Sequence, residues 1–146
     1  MKTTVVSRIQ IAADQEVVFE YLSHLKYHTL WNPHIRKISS KRKLKLGSKY
    51  KTESFILGIH LPASNTVTIL EEPSELEVEN IVGVLNWRVN FKLKKNGGTV
   101  LVICSSVVST NSKGFIFTAP ILKQLARREL QTDLQSLKIA VENKLT

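Results

Sequence analysis

Two acids spaced four residues apart, Glu129 and Asp133, have the placement in this chain that could do proton chemistry. They lie in a stretch from Pro120 to Leu145 that has no glycine and no further proline, and that is rich in helix formers. At about 100° per residue, the pair falls roughly 20° to either side of Leu122 on a helical projection. Leu122, Ala126, Leu130, Leu134, Leu137, Val141 and Leu145 form an apolar stripe there, opposite Lys123, Arg127, Gln131, Gln135, Lys138 and Glu142. A carboxyl inside such a stripe has a raised pKa and can act as a general acid or base. On the flank of the stripe it would pair with a nearby basic residue, and the rarity of buried unpaired acids favours that second arrangement. Tyr50 is the third candidate for proton transfer.

Other reactive residue types form no constellation. His24 and His28 stand four apart, but no cysteine, glutamate or further histidine completes a metal set, so they and His34 and His60 read as surface histidines. No metal and no cofactor is expected. Cys104 is the single cysteine and has no nucleophile-type context. It cannot form an internal disulfide, which fits a reducing cytoplasm. Gly97-Gly98 lies between strand patterns and reads as a hairpin turn, not a phosphate loop.

The elements that would position these residues fit one domain, residues 1–146, with 42% hydrophobic residues and no apolar run of membrane-spanning length. Of 21 lysines and arginines, eight fall between Arg36 and Lys51 with no acid among them, leaving 13 against 12 acids elsewhere. The basicity is therefore local. It could meet phosphate on an anionic membrane, but lacking interleaved aromatics beyond Tyr50 it argues against nucleic acid. A solvated loop and strand face is the simpler reading.

Period-two patterns predict strands over 4–11, 34–39, 48–56, 64–70, 75–80, 84–93 and 99–108, with helical turns after Asp14 and over 26–31. Residues 57–62 read as an apolar loop, and the last strand is apolar on both faces, so its register is open. The order β-α-α-β6-α is α+β: a curved antiparallel sheet wrapped around a long C-terminal helix. Strand parity turns Tyr50, Thr52 and Ser54 inward, together with Val67 and Ile69, with Val78 and Asn80, and with Trp87, Val89 and Phe91. Facing Leu122, Ala126, Glu129 and Leu130, and closed by Trp31, these would line a cavity whose polar handles are Tyr50, Thr52, Ser54 and Asn80.

Four segments in sequence order resemble the START/Bet v1-like helix-grip superfamily, in particular its bacterial polyketide cyclase/dehydrase-like (SRPBCC) branch. They are Ala12-Ala13-Asp14-Gln15-Glu16-Val17-Val18-Phe19, Leu30-Trp31-Asn32-Pro33-His34-Ile35, Gly97-Gly98-Thr99 and Leu137-Lys138-Ile139-Ala140-Val141-Glu142. The resemblance implies a helix-grip fold with a ligand cavity. Members bind lipids, sterols, polyketides or plant hormones, and some catalyse cyclisation, without one shared catalytic motif. It also places Ile59, His60, Phe115 and Phe117 near the cavity mouth, where apolar tips beside a basic stretch would allow transient contact with an anionic membrane. The expected function is binding of a hydrophobic small molecule or lipid, with a cyclase or dehydrase acting through Glu129, Asp133 or Tyr50 as the alternative. A monomer and a homodimer both remain open.

Overall fold

The computed structural model describes residues 2–56, 58–113 and 119–146, and within them the chain follows the order expected. Strand β1 (Lys2–Ile11) leads into helix α1 (Gln15–Ser23), a single 3-10 turn (Leu25–Tyr27) and the one-turn helix α2 (His28–Trp31). Six strands follow: β2 (Ile35–Ile38), β3 (Lys49–Ile56), β4 (Ile59–Glu71), β5 (Glu75–Val82), β6 (Leu85–Asn96) and β7 (Thr99–Ser109). Helix α3 (Ala119–Glu142) ends the fold. The sheet is antiparallel throughout, in the order β1-β7-β6-β5-β4-β3-β2. Both edges thus come from strands that flank the two N-terminal helices in sequence.

Alternation decides which face is buried. In β1, Val5 and Ile11 are buried while Val6, Arg8 and Gln10 face solvent. On β5 and β6 the outward set is polar and cross-linked: Asn90 donates to Glu75 Oε2 at 2.8 Å, and Arg88 meets Glu79 Oε2 at 3.0 Å. Inside, Phe19, Leu22, Leu76, Val100, Val102 and Leu137 pack α1 and the C-terminal half of α3 against the sheet. Asp14 starts α1 through its carbonyl, which accepts from Val17 and Val18, and its side chain makes no capping bond.

Two local expectations are corrected and one open point is settled. The apolar segment after Ile56 is largely strand: β4 begins at Ile59, which pairs with Ile56 across a tight turn through Gly58 at φ 78°. Strand β7, whose register the sequence left open, turns Val100, Val102, Cys104, Ser106 and Val108 inward. The long helix stops at Glu142 and does not run to Leu145. There Lys144 takes a positive φ of 52°, Lys144 N–H bonds to the Val141 carbonyl, and Leu145 N–H bonds to the Ala140 carbonyl. That pair of bonds is a Schellman cap, which satisfies carbonyls the helix leaves open. Tyr21 Oη fixes this end by donating to the Leu145 carbonyl at 2.6 Å.

Candidate functional site

Between the sheet and the N-terminal half of α3 the packing is incomplete. A cavity of about 160 Å³ lies there, reached by side chains of α2, β2 to β7 and α3. Its sheet wall follows from strand register. Tyr50 stands opposite Asn65, Thr52 opposite Ala63, Val78 opposite Val89, Asn80 opposite Trp87, and Phe91 opposite Cys104. Glu129, Leu130, Asp133 and Leu134, on successive turns of α3, close it from above.

Helix α2 supplies the end wall, held by two bonds to α1. Trp31 Nε1 donates to the Tyr21 carbonyl at 2.9 Å, and His28 Nε2 bonds to the Leu22 carbonyl at 2.7 Å. A carbonyl only accepts, so the His28 ring proton sits on Nε2. Trp31 is edge-on to His28 and to Phe91, with ring centroids 4.7 and 5.7 Å apart. His28 is 4% exposed, so the surface reading of this histidine is corrected. Burial lowers its pKa to about 4, against the opposing pull of the Leu22 bond, so it is a neutral wall residue.

Eleven of the residues expected to face a cavity line this one: Trp31, Tyr50, Thr52, Ser54, Val78, Asn80, Trp87, Val89, Phe91, Glu129 and Leu130. Asp133 joins them. Four others do not line it. Val67 and Ala126 are closed core, and Leu122 is half-buried on the first turns of α3. Ile69 is displaced by a bulge in β4: Val67 pairs with Val78, but Ile69 pairs with Glu77. The extra residue, Thr68, flips parity, so Ile69 shares the outer face with Glu77 and Leu70 turns inward.

Sequence reasoning missed His28, Asn32, Asn65 and Cys104. Asn65 and Ala63 share parity with Val67 and were within reach of the same argument. Cys104 needed the register of β7, which both apolar faces concealed.

The site is electrostatically lopsided. Neither Glu129 nor Asp133 makes an ion pair among the described residues, and neither lysine nor arginine lines the cavity. The flank pairing expected for these acids is therefore corrected. Burial pushes Glu129 up to about 7. Asp133 is raised well above its ordinary range, first by burial and then by Glu129 beside it. Burial also raises the Tyr50 phenol, and burial with the Asp133 charge raises the Cys104 thiol. A carboxyl that titrates near neutrality can both hold and give up a proton at ordinary pH. Among the described residues, no three His, Cys, Asp or Glu side chains gather into a metal set.

Two of the expected mouth residues, Ile59 and His60, are neighbours at the start of β4. Ile59 is 61% exposed, and His60 stacks on Phe55 and bonds Glu53 Oε1 at 2.8 Å. Phe115 and Phe117 lie outside the described residues. Exposed Ile59, Ile81 and Val84 share the end of the sheet where β3–β4 and β5–β6 turn. Most of the basic stretch lies at the other end, where Lys43 pairs with Glu72 at 2.9 Å in the β4–β5 turn. Among the described residues, the exposed Ile59, Ile81 and Val84 and the bulk of the basic stretch are therefore not neighbours, contrary to expectation for Ile59. No helix is long and apolar enough to cross a membrane among the described residues.

No protein-family model matches the sequence, and no curated protein matches it. Solved structures share its fold at low identity. The Zhui aromatase/cyclase from Streptomyces sp. R1128 is similar over 99% of this chain and 96% of its own, at TM-score 0.84 and 11% identity. A START superfamily protein from Mycobacterium smegmatis covers 96% of this chain and 97% of its own, at TM-score 0.79 and 18% identity. Ara h 8.0201 is similar over 98% of this chain and 99% of its own, at TM-score 0.77 and 12% identity.

Proposed function

From the START/Bet v1-like helix-grip fold of this chain, we propose that it binds a hydrophobic small molecule, or the apolar part of a lipid, in the space between sheet and α3. The observation that carries this reading is the cavity of about 160 Å³ walled by Trp31, Val78, Trp87, Val89, Phe91 and Leu130. Packed interiors leave few voids larger than a water molecule, so an unfilled space of this size within an apolar wall favours an occupant. The volume also bounds that occupant. An apolar cavity of about 150 Å³ accepts a benzene-sized guest. One aromatic ring or a short acyl segment fits, and a sterol-sized ligand would need the wall to open. Native mass spectrometry of the purified protein is the test, first as isolated and then with toluene or a short fatty acid added. A retained small apolar adduct or stoichiometric uptake is expected; a chain that takes up no apolar probe would sink the reading.

A second reading, an enzyme of cyclase or dehydrase type on a polyketide-like substrate, is favoured by one observation. Glu129 titrates near neutrality while facing the same cavity. A carboxyl poised there could take a proton from an enolisable carbon and return it to a leaving oxygen. Single-turnover assays on an enolisable poly-β-ketone would decide it. Unchanged turnover in both Glu129→Gln and Asp133→Asn would remove it.

A further inference from the structure

The polar groups of the cavity are unequally spent. Its N–H donors are largely committed inside the protein, while the hydroxyls of Tyr50 and Ser54, which also line it, make no hydrogen bond among the described residues. Trp31 Nε1 goes to the Tyr21 carbonyl, and Trp87 Nε1 to Ser106 Oγ. Asn65 Nδ2 reaches the Tyr50 carbonyl at 3.2 Å and Thr52 Oγ1 at 3.1 Å. Asn80 Nδ2 reaches the Trp87 carbonyl at 2.9 Å, and His28 Nε2 the Leu22 carbonyl. The acceptors are left over. Asn32 Oδ1, Asn65 Oδ1 and Asp133 Oδ1 are buried with no hydrogen-bond partner among the described residues, and all three residues line this cavity. The bond to the Tyr50 carbonyl requires an N–H on Asn65, which fixes its free atom as the oxygen. Glu129, one turn from Asp133, adds a second carboxyl facing the same space.

Unpaired buried acceptors are costly and uncommon, and among the described residues no cation answers the two carboxyls that line this space. Hydroxyl donors are already present there, but a carboxylate among aromatic rings selects a donor that carries positive charge. We propose that the cavity selects a small amine, a ligand with one apolar ring or short chain bearing a protonated nitrogen, whose N–H groups meet Asp133 and Glu129. This rests on the reading of the cavity as a binding site and names the ligand class. The rest of the protein works against a trivial explanation, because a formal net charge of +9 repels cations in general. The groups facing the two carboxyls from the other elements are Tyr50, Cys104 and the neutral His28, together with the amides of Asn32, Asn65 and Asn80, and none of them is a cation. An ammonium entering beside a protonated carboxyl favours its ionised form, so binding releases a proton to the buffer.

The test compares benzylamine, toluene, benzyl alcohol and benzoate by calorimetric titration of the full chain and of its Asp133→Asn and Glu129→Gln variants. Benzylamine should bind at least about tenfold more tightly than toluene or benzyl alcohol, with benzoate weakest. Its heat should change with the ionisation enthalpy of the buffer. In Asp133→Asn the benzylamine advantage over benzyl alcohol should fall to within about twofold, with an unchanged circular dichroism spectrum reporting that the fold is intact. Glu129→Gln, a second change, should reduce the advantage and lessen the buffer dependence, leaving the share that Asp133 contributes. Toluene binding with no preference for benzylamine would overturn this inference alone and leave the apolar-cavity reading in place. So would a preference for benzoate, or an amine preference untouched by both substitutions. No binding of any of the four would overturn both readings.

Discussion

Replacing Glu129 by glutamine should change how the stability of this protein depends on pH, in a direction opposite to the usual behaviour of a carboxylate. An unfolded glutamate releases its proton near 4.5, whereas the folded protein holds the Glu129 proton up to about 7. Between those values the folded state binds more protons than the unfolded state, so this group lowers stability as pH rises through the window. Its contribution is fully present below the unfolded value and gone above the folded one. The shift corresponds to roughly 3 kcal/mol, or a melting-temperature difference of about 10 °C for a chain of this length. The native protein alone will not display it cleanly, because His28 acts the other way. Its folded pKa of about 4 against an ordinary 6.5 makes stability rise with pH over much of the same range. The difference between the Glu129→Gln variant and the native chain cancels the His28 contribution. Urea or thermal unfolding from about pH 4.5 to pH 8 should show the two proteins nearly equal at the acid end. The variant should be more stable by roughly 3 kcal/mol at the alkaline end. Parallel curves, or a variant that loses ground as pH rises, would refute the claim that this carboxyl is buried without a counter-charge.

Three further outcomes follow from single residues. His28→Gln should flatten the loss of stability on acidification between about pH 6.5 and pH 4, read by the same unfolding series, because the buried ring no longer has to charge. The Cys104 thiol, 2% exposed and with its pKa raised by burial, should react with iodoacetamide at least about 100-fold more slowly in the native protein than in urea. Lys144→Gly should raise the unfolding free energy by roughly 0.5–1 kcal/mol, since glycine takes the left-handed cap without the clash a side chain brings there.

The architecture was legible because it is written in periods that do not depend on fine packing. Leu130, Leu134 and Leu137 repeat at helical spacing, and Trp87, Val89 and Phe91 repeat at strand spacing, which sets one surface against another. Much of the cavity wall followed from the same parity. What did not follow needed an event that no period encodes. The bulge at Thr68 sends Ile69 outward, and only the pairing of β4 with β5 reveals it. The Schellman cap ends α3 at a lysine where glycine is the usual signal, so Leu145 looked like another stripe position. Glu129 and Asp133 were located correctly on the projection, but a projection cannot say whether a basic side chain reaches them. None does among the described residues, because the surfaces facing them are Tyr50, Cys104 and three asparagines. His28 shows the same limit: its spacing suggested nothing, while its place between α1 and the sheet makes it part of the wall.

The central claim is that the space under α3 takes an apolar guest, and the two tryptophans allow it to be tested at the site itself. The chain has two tryptophans, Trp31 and Trp87, and both line the cavity, so two indole N–H resonances report on it. Titration with toluene, followed by proton–nitrogen correlation spectra, should shift both indole signals along saturable curves with one affinity. Ala63→Phe, which places a ring into a space of about one benzene, should remove the response while the fold persists. Indole signals that stay fixed up to the solubility limit of toluene, or that move equally in Ala63→Phe, would contradict the account.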